Sequence, residues 1–423
     1  MRRNVKFYKR HENFATNSRD SAVECAAMET QGAKRRIAVA VERSTVFGRN
    51  LLRGFAEIAG NRPEWDLSLL DPRSTAAAAA GASRFEAWVC RIPDDRAASA
   101  LARTRRPVVD LAAPHDQPSF ATVATDAAAI GRLAAEHLLA RRYPAFAFCG
   151  YPGIAFSDRR RDAYAASLAK SGFAPVEYRP PRTAVRHFGA DYRLGDRLVE
   201  TPDAAALRAW LRALPKPVAV FCCDDLRAAQ LSRVCRAAGV SVPRDVAVLG
   251  VDDDPLQCLF VSPRLSSIDS DSVEVGRAAA RALAQMLDSP DAAPPRILVA
   301  PRSVASRAST DCWPGAPGWL PGILDWIAEN AGANLSACDV FRRAGRSRTL
   351  VERVFREKLG STVQGKIAEA RIETAKRLLA GTARPLADIA RASGFSSAGY
   401  FSRSFAAATG LAPTAWREAN LWK

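Results

Sequence analysis

Pro217-Val-Ala-Val-Phe-Cys222, the segment Leu226–Ala238, and Val246-Ala-Val-Leu-Gly-Val251 together form the stretch on which the fold turns. The outer two are short apolar runs, as strands buried on both faces require, and the segment between them has helical length. A strand, a helix and a second apolar strand make a βαβ unit, which implies parallel pairing. The alternation extends toward the N-terminus. Ile37-Ala-Val-Ala-Val41 is a buried-strand run, and Phe47–Ala59 sets Leu51, Leu52, Phe55, Ile58 and Ala59 on one helix face. Then come Val108-Val-Asp-Leu111, a helix over Ala127–Leu139, the run Ala145-Phe-Ala-Phe-Cys149 and a helix from about Arg159 to Ser171. Ala76–Ala80 is of low complexity and reads as a plain helix. The prediction is a doubly wound α/β body in two blocks, about 37–150 and 150–300, facing a cleft.

Proline breaks the pattern at 290, 294, 295, 301, 314, 317 and 321. Arg296-Ile-Leu-Val-Ala300 closes the α/β region, and residues 306–321 read as a linker. Beyond it no strand run survives, so 322–423 is predicted all-helical. Residues 1–35 are polar, basic and aperiodic, and read as a disordered extension. The α/β body therefore spans 36–305.

The chain has 423 residues, 48% hydrophobic and 25% charged, which excludes wholesale disorder and a collagen-like fibre. No apolar run approaches the ~18 residues of a membrane span, and the N-terminus lacks the apolar core of a secretory signal. Nine scattered cysteines without such a signal point to free thiols in a reducing cytoplasm. The net charge of +17 is unevenly placed. Residues 1–36 carry nine Lys/Arg against four Asp/Glu, and residues 313–423 carry sixteen against nine. A dense basic module suits a polyanion partner, although solubility alone also accounts for such charge.

Two segments of the tail share one grammar. Val340–Phe355 and Leu386–Phe405 each read as a short helix, a turn with glycine (Gly345, Gly394) and a second helix. Leu350, Val354 and Phe355 would anchor the first second-helix, and Tyr400, Phe401 and Phe405 the other. The outward sets are then Ser347, Arg348, Thr349, Glu352, Arg353 and Arg356, and Ser396, Ser397, Ala398, Ser402 and Arg403. Between them Ala368–Leu379 reads as a helix with Ile372, Ala375, Leu378 and Leu379 inward. Such a connector would hold two reading helices in adjacent major grooves, ~34 Å apart. A helical bundle that binds protein or dimerises is the other reading of these helices.

The second unit resembles the DNA-binding domain of AraC-type transcription regulators. It carries Leu386-x-x-Ile389-Ala390-x-x-x-Gly394-Phe395-x-Ser397-x-x-Tyr400-Phe401-Ser402-Arg403-x-Phe405, then Gly410, Pro413, Trp416 and Arg417. The first unit is looser, with Gly345 and Thr362-Val363-Gln364-Gly365 atypical.

In the α/β body, Asp224-Asp225 and Asp252-Asp253-Asp254 follow two predicted strands, where ligands of open α/β sheets bind. Carboxylates there can accept paired hydrogen bonds from sugar hydroxyls, hold a divalent cation, act as acid and base, or merely cap loops. No phosphate loop, nucleophile elbow or dinucleotide turn accompanies them, and the four histidines (11, 115, 137, 187) lack metal-ligand spacing. No catalytic residue, metal or cofactor is therefore assigned. The body resembles the periplasmic-binding-protein-like domain of LacI-type repressors, and more closely that of the xylose-operon regulators, which join it to an AraC-type tail. The matching stretches include Val41-Glu42-Arg43-Ser44, Gly48-Arg49, Asp126 to Leu138, Phe148-Cys149-Gly150, Ser157-Asp158-x-Arg160-Arg161, Asp225-Leu226-Arg227, Leu249-Gly250-Val251-Asp252 and Leu265-Ser-Ser-Ile-Asp269.

The resemblance implies ligand-binding roles for Arg160, Asp224, Asp225 and Asp252, with Glu42, Ser44, Phe47 and Arg91 at cleft-edge strand ends. Phe47 could stack on a sugar or simply be core. Asp224 and Asp253 stand where that family usually has asparagine, which adds negative charge, removes amide donors and favours a ligand with extra donors. The implied function is a cytoplasmic, sugar-responsive regulator, an activator by inheritance. Its expected partners are double-stranded DNA, a pentose or related effector, a second copy in a homodimer and RNA polymerase, with no membrane. A cleft that senses a non-sugar ligand, or none, would leave a DNA-bound scaffold. An enzyme fused to DNA-binding helices would need turnover that these residues do not suggest.

Overall fold

The computed structural model describes residues 34–81, 84–111, 117–181, 203–312 and 314–420. The strands in chain order are β1 (Arg35–Ala40), β2 (Trp65–Leu70), β3 (Ala87–Cys90), β4 (Val108–Asp110), β5 (Ala121–Thr125), β6 (Phe146–Cys149), β7 (Val176–Glu177), β8 (Val218–Cys222), β9 (Val246–Val251), β10 (Ser266–Asp269), β11 (Arg296–Val299) and β12 (Ser303–Ala305). They form two six-stranded sheets, in the orders β11-β5-β4-β3-β1-β2 and β12-β10-β9-β8-β6-β7. All pairs in the first sheet are parallel; in the second only β10–β12 is antiparallel.

The central strands match the apolar runs of the sequence because both of their faces are covered. Every residue of β8 and β9 is buried. Helix Val46–Ala59 begins where Thr45 accepts a hydrogen bond from Gly48 N, and it turns Leu51, Phe55 and Ala59 into the first lobe's core.

The two blocks expected at 37–150 and 150–300 are not the lobes. The chain crosses between sheets after β5, returns through Ser272–Asp288 to β11, and crosses again to β12. Helix Ala127–Leu139 packs in the second lobe, with Ile130, Ala134 and Leu138 in its core. Helix Ser272–Asp288 packs on Val46–Ala59 in the first. That crossing depends on two glycines: a Cβ on Gly54 would sit 1.9 Å from Val273 O, and one on Gly276 would sit 2.0 Å from Leu51 O.

Residues 306–312, expected in the linker, belong to the second lobe. Ser309 and Thr310 are fully buried, and Ser309 Oγ donates to Val248 O at 2.6 Å. Helix Leu320–Asn330 then opens the helical region, so the connecting stretch is shorter than predicted. Of the extension expected at 1–35, residues 1–33 lie outside the described residues, and β1 already begins at Arg35. His11, His115 and His187 also lie outside them. Eight cysteines are described, all free; Cys338 is exposed and the rest are buried. Among the described residues no helix is long and apolar enough to cross a membrane.

The tail has two small cores. Leu320, Ile323, Ile327, Val340, Val351, Val354, Phe355 and Ile367 fill one; Ile372, Ala375, Leu379, Ile389, Phe395, Phe401 and Phe405 fill the other. Helix Val363–Gly381 contributes to both and joins them.

Candidate ligand cleft and nucleic-acid interface

The carboxyl ends of β6, β8 and β9 carry one wall of the cleft. Arg160, on helix Ala155–Ala169, is 3% exposed. It donates from Nη1 to the Cys223 carbonyl, and its Nη2 lies 3.6 Å from Asp252 Oδ1. The guanidinium stands 5.2 Å from the centre of the Phe156 ring. Among the described residues its buried Nε finds no hydrogen-bond partner.

Asp224 caps helix Asp225–Ala237 by accepting from Arg227 N at 2.7 Å. Burial lifts its carboxyl from the usual 3.8 to about 7; Asp252 adds to the shift, and Arg227 N, Arg160 and Arg227 oppose it. Asp252 accepts from Ser270 Oγ at 2.8 Å. It has φ +99° and Asp253 φ +48°. Such conformations cost side-chain-bearing residues about 1–3 kcal/mol each and gather at functional sites.

The structure revises the charge expected of the two asparagine-to-aspartate departures. Asp253 is paired with Arg307, Nη2 to Oδ1 at 2.7 Å, and Asp224 is shifted toward its neutral form. Asp225, grouped with the ligand contacts, instead braces the loop from beneath. It is 2% exposed and accepts from Asp254 N at 2.7 Å and from Cys258 Sγ at 3.4 Å. Burial raises its carboxyl well above the usual range, and Asp252 and Asp253 add to the shift.

The opposite wall is more open. Glu42 follows β1 and forms an ion pair with Arg91, which follows β3. Thr45 Oγ1 donates to the same Glu42 oxygen at 3.1 Å. The Arg91 guanidinium lies 5.1 Å from the Phe47 ring centre, and Phe47 is half-buried against the first lobe's core. Ser44 is exposed, and its carbonyl accepts from Arg49 Nη1 at 2.9 Å. Across the lobes, the charge of Arg49 opposes the burial that raises the Asp254 carboxyl.

A buried pair behind the second wall was not assigned from sequence. Arg227 grips Asp203 with both nitrogens, at 3.0 and 2.6 Å, between the rings of Tyr151 and Tyr178. Tyr178 OH donates to the same carboxylate at 2.8 Å. The available signal was an arginine in the first turn of a helix, the end that disfavours cations and needs a compensating anion. Among the described residues no group of three or more His, Cys, Asp or Glu could hold a metal ion.

In the tail, helices Ala337–Ala344 and Arg348–Leu359 form the first unit, with a turn at Gly345 (φ +60°). A capping box of Ser336 and Asp339 starts it. Helices Leu386–Ala392 and Ala398–Thr409 form the second. Its turn residue Gly394 has φ +79°, and a Cβ there would sit 2.2 Å from Ala331 O, so glycine is required.

Ser347, Arg348, Thr349, Arg353 and Arg356 are exposed; Glu352 is half-buried. Ser396, Ser397, Ala398 and Arg403 are exposed, and Ser402 is half-buried. Ser347 and Ser397 are the caps of their helices, accepting from Leu350 N at 3.3 Å and Tyr400 N at 3.2 Å. Two anchors differ from expectation. Val351 is fully buried where Leu350 is only partly so, and Tyr400 is 49% exposed while Phe395 takes its place in the core. Leu350 and Tyr400 each sit one residue off the stripe that faces inward.

A family of periplasmic binding protein-like domains matches residues 135–310, and a helix-turn-helix domain family matches residues 340–419. The xylose operon regulatory protein of Escherichia coli K12 is 25% identical over 92% of this chain and 98% of its own length. That of Haemophilus influenzae is 24% identical over 90% of this chain and 98% of its own. The solved structure of a xylose-binding transcription activator superposes with a TM-score of 0.58 at 24% identity, covering 92% of this chain and 99% of that one.

Proposed function

We propose that this chain, an AraC-type transcription regulator with a periplasmic-binding-protein-like sensor domain resembling the xylose operon regulators, binds a pentose or related polyol between its lobes and changes its hold on DNA in response. It is a regulator and not an enzyme. The observation that carries the reading is that the similarity to those regulators runs unbroken through both modules in the same order.

The cleft chemistry supports an uncharged, hydroxyl-rich effector. Arg160 offers donors, Asp252 and Glu42 offer acceptors, and Asp224, its carboxyl raised to about 7, accepts when ionised and also donates when protonated. Most charges here are already matched: Arg91 with Glu42, Arg160 with Asp252, Arg307 with Asp253. A charged effector would have to break such a pair; a sugar need only add to it.

Closure of the lobes would shift a population between open and closed states by the effector's differential affinity. Base readout would come from the faces of Arg348–Leu359 and Ala398–Thr409, with arginines on phosphates. A homodimer, contact with RNA polymerase and residence in the cytoplasm complete the reading.

Thermal unfolding of the full chain against pentoses, hexoses, sugar acids and polyols tests the sensor half. A sugar at a hundred times its Kd should add about 2.7 kcal/mol. Selection from a random-sequence duplex library tests the other half, with enrichment of one motif expected. Silence in the panel contradicts the sensor; failure to enrich any motif contradicts the reader.

A further inference from the structure

The cleft loop and the last segment of the second lobe before the DNA-binding tail are joined by one arginine. Arg307 lies on the segment that leaves the second lobe for the tail, and its side chain reaches back to the cleft. Nη2 donates to Asp253 Oδ1 at 2.7 Å and Nη1 to Leu265 O at 2.8 Å. Asp253 is half of the positive-φ pair that presents Asp252, and its N–H donates to Ser267 Oγ at 3.0 Å. The backbone of Arg307 is held as tightly. Its N–H donates to Ser266 Oγ at 2.8 Å, and that hydroxyl stands 2.7 Å from Thr310 Oγ1.

Further polar contacts hold Thr310 and Ser306 to the end of helix Ala127–Leu139 in the second lobe. Arg141 Nε donates to Thr310 O at 2.6 Å, its Nη2 donates to Ser306 Oγ at 2.8 Å, and His137 Nε2 lies 3.0 Å from Thr310 Oγ1. The next residue, Asp311, feels the charges of Arg141, Asp325 and Lys366, and Arg141 feels that of Glu369. Lys366 and Glu369 pair at 2.6 Å on Val363–Gly381, the helix that carries both helix-turn-helix units.

We propose that Arg307 is a positioning residue that sets the Asp252–Asp253 loop for the effector and transmits the state of that loop to the DNA-binding tail. The inference rests on the sensor reading above and adds the route of its regulation. A ligand that draws on Asp252 pulls a strained loop whose second residue is tied by one charge-assisted bond to Arg307, which a second bond anchors to the Leu265 carbonyl. No other side chain among the described residues that binds this loop lies on that segment. Bonds to charged groups are the stronger kind, so the tie can carry a displacement instead of absorbing it.

The test uses the full chain, the enriched duplex, and D-xylose with L-arabinose and D-ribose as probes. DNA affinity is measured by fluorescence anisotropy with and without sugar in wild type, Asp253→Asn, Arg307→Lys and Arg307→Ala. Asp253→Asn keeps the shape of the loop, so it reports even where Arg307→Ala fails to fold. The expected result is a wild-type affinity ratio of about tenfold or more that falls to within twofold in each folded variant. Unliganded DNA affinity and melting cooperativity should stay near wild type. A merely structural arginine would move stability and leave the ratio intact. A responsive wild type whose ratio survives in Asp253→Asn and Arg307→Lys overturns the role of Arg307 alone. A wild type unmoved by every probe overturns the sensor reading and this inference with it.

Discussion

The two walls of the cleft are built differently. The second-lobe wall is prearranged: Arg160 and Asp224 are at most 4% exposed, and each is held by a backbone group or cap before any ligand arrives. The first-lobe wall is half-open, and Glu42, Phe47 and Arg91 hold mainly one another. The contrast teaches an order of events. A wall with fixed donors and acceptors can define the binding geometry, because orienting it costs little at the moment of binding. A wall of half-buried groups paired with one another can come down afterwards and close the site. Substitutions in the two walls should therefore differ in kind as well as size.

The largest effect should come from Arg160→Ala. It leaves buried Asp224 and half-buried Asp252 beside an empty volume; breaking a buried pair typically costs about 3–5 kcal/mol, and the solvent contact of Asp252 places this one at the lower end. Denaturant unfolding should show a loss of that order, and sugar titration a loss of about a hundredfold or more in affinity. A variant with near-normal affinity would mean the second wall does not define the site.

Asp224→Asn should come next. The folded carboxyl sits above its unfolded value, so the folded chain binds the proton more tightly between about pH 4 and 7. Stability from that group is full below the window and falls as pH rises through it. Asparagine caps helices about as well as aspartate. The variant should therefore match wild type near pH 4 and exceed it by about 2–4 kcal/mol at pH 8, each unit being worth about 1.4 kcal/mol. Parallel unfolding curves at both pH values would refute the buried-acid account.

Arg91→Ala should be milder. The pair is partly solvated, so about 1 kcal/mol of stability is at stake. One lost charged hydrogen bond would lower sugar affinity about tenfold or somewhat more. If stopped-flow binding shows the loss mainly in dissociation, the first wall acts after encounter, as the order of events requires. Ser44→Ala should be smallest, within about 0.5 kcal/mol of wild type, because the hydroxyl is exposed. A large effect there would shift the closing contact to the loop after β1.

Legibility in the sequence followed the same physics. Strands covered on both faces, β8, β9 and the Ile37–Ala40 part of β1, are unbroken apolar runs and were read directly. The edge strand β2 alternates apolar and polar residues with Leu67 and Leu69 exposed, and β10 buries two serines through hydrogen bonds, so neither shows the apolar run of a strand covered on both faces. Lobe membership was illegible because an apolar helix carries no address; the Gly54–Gly276 contact that assigns Ser272–Asp288 exists only in three dimensions. Ser309 and Thr310 looked like linker because their polarity is satisfied by partners more than 40 residues away in sequence. The aspartates at strand ends announced the second wall. They did not reveal that Asp225 faces inward, or that Arg307 comes from the exit segment to neutralise Asp253.

The central claim is that one chain couples a sugar in its cleft to DNA at its tail. The most direct measurement is equilibrium binding of the full chain to its selected duplex, with and without the sugar that most raises its melting temperature. A change of about tenfold or more, abolished by Arg160→Ala while unliganded DNA affinity persists, is the predicted result. An affinity that the bound sugar leaves unchanged would contradict it.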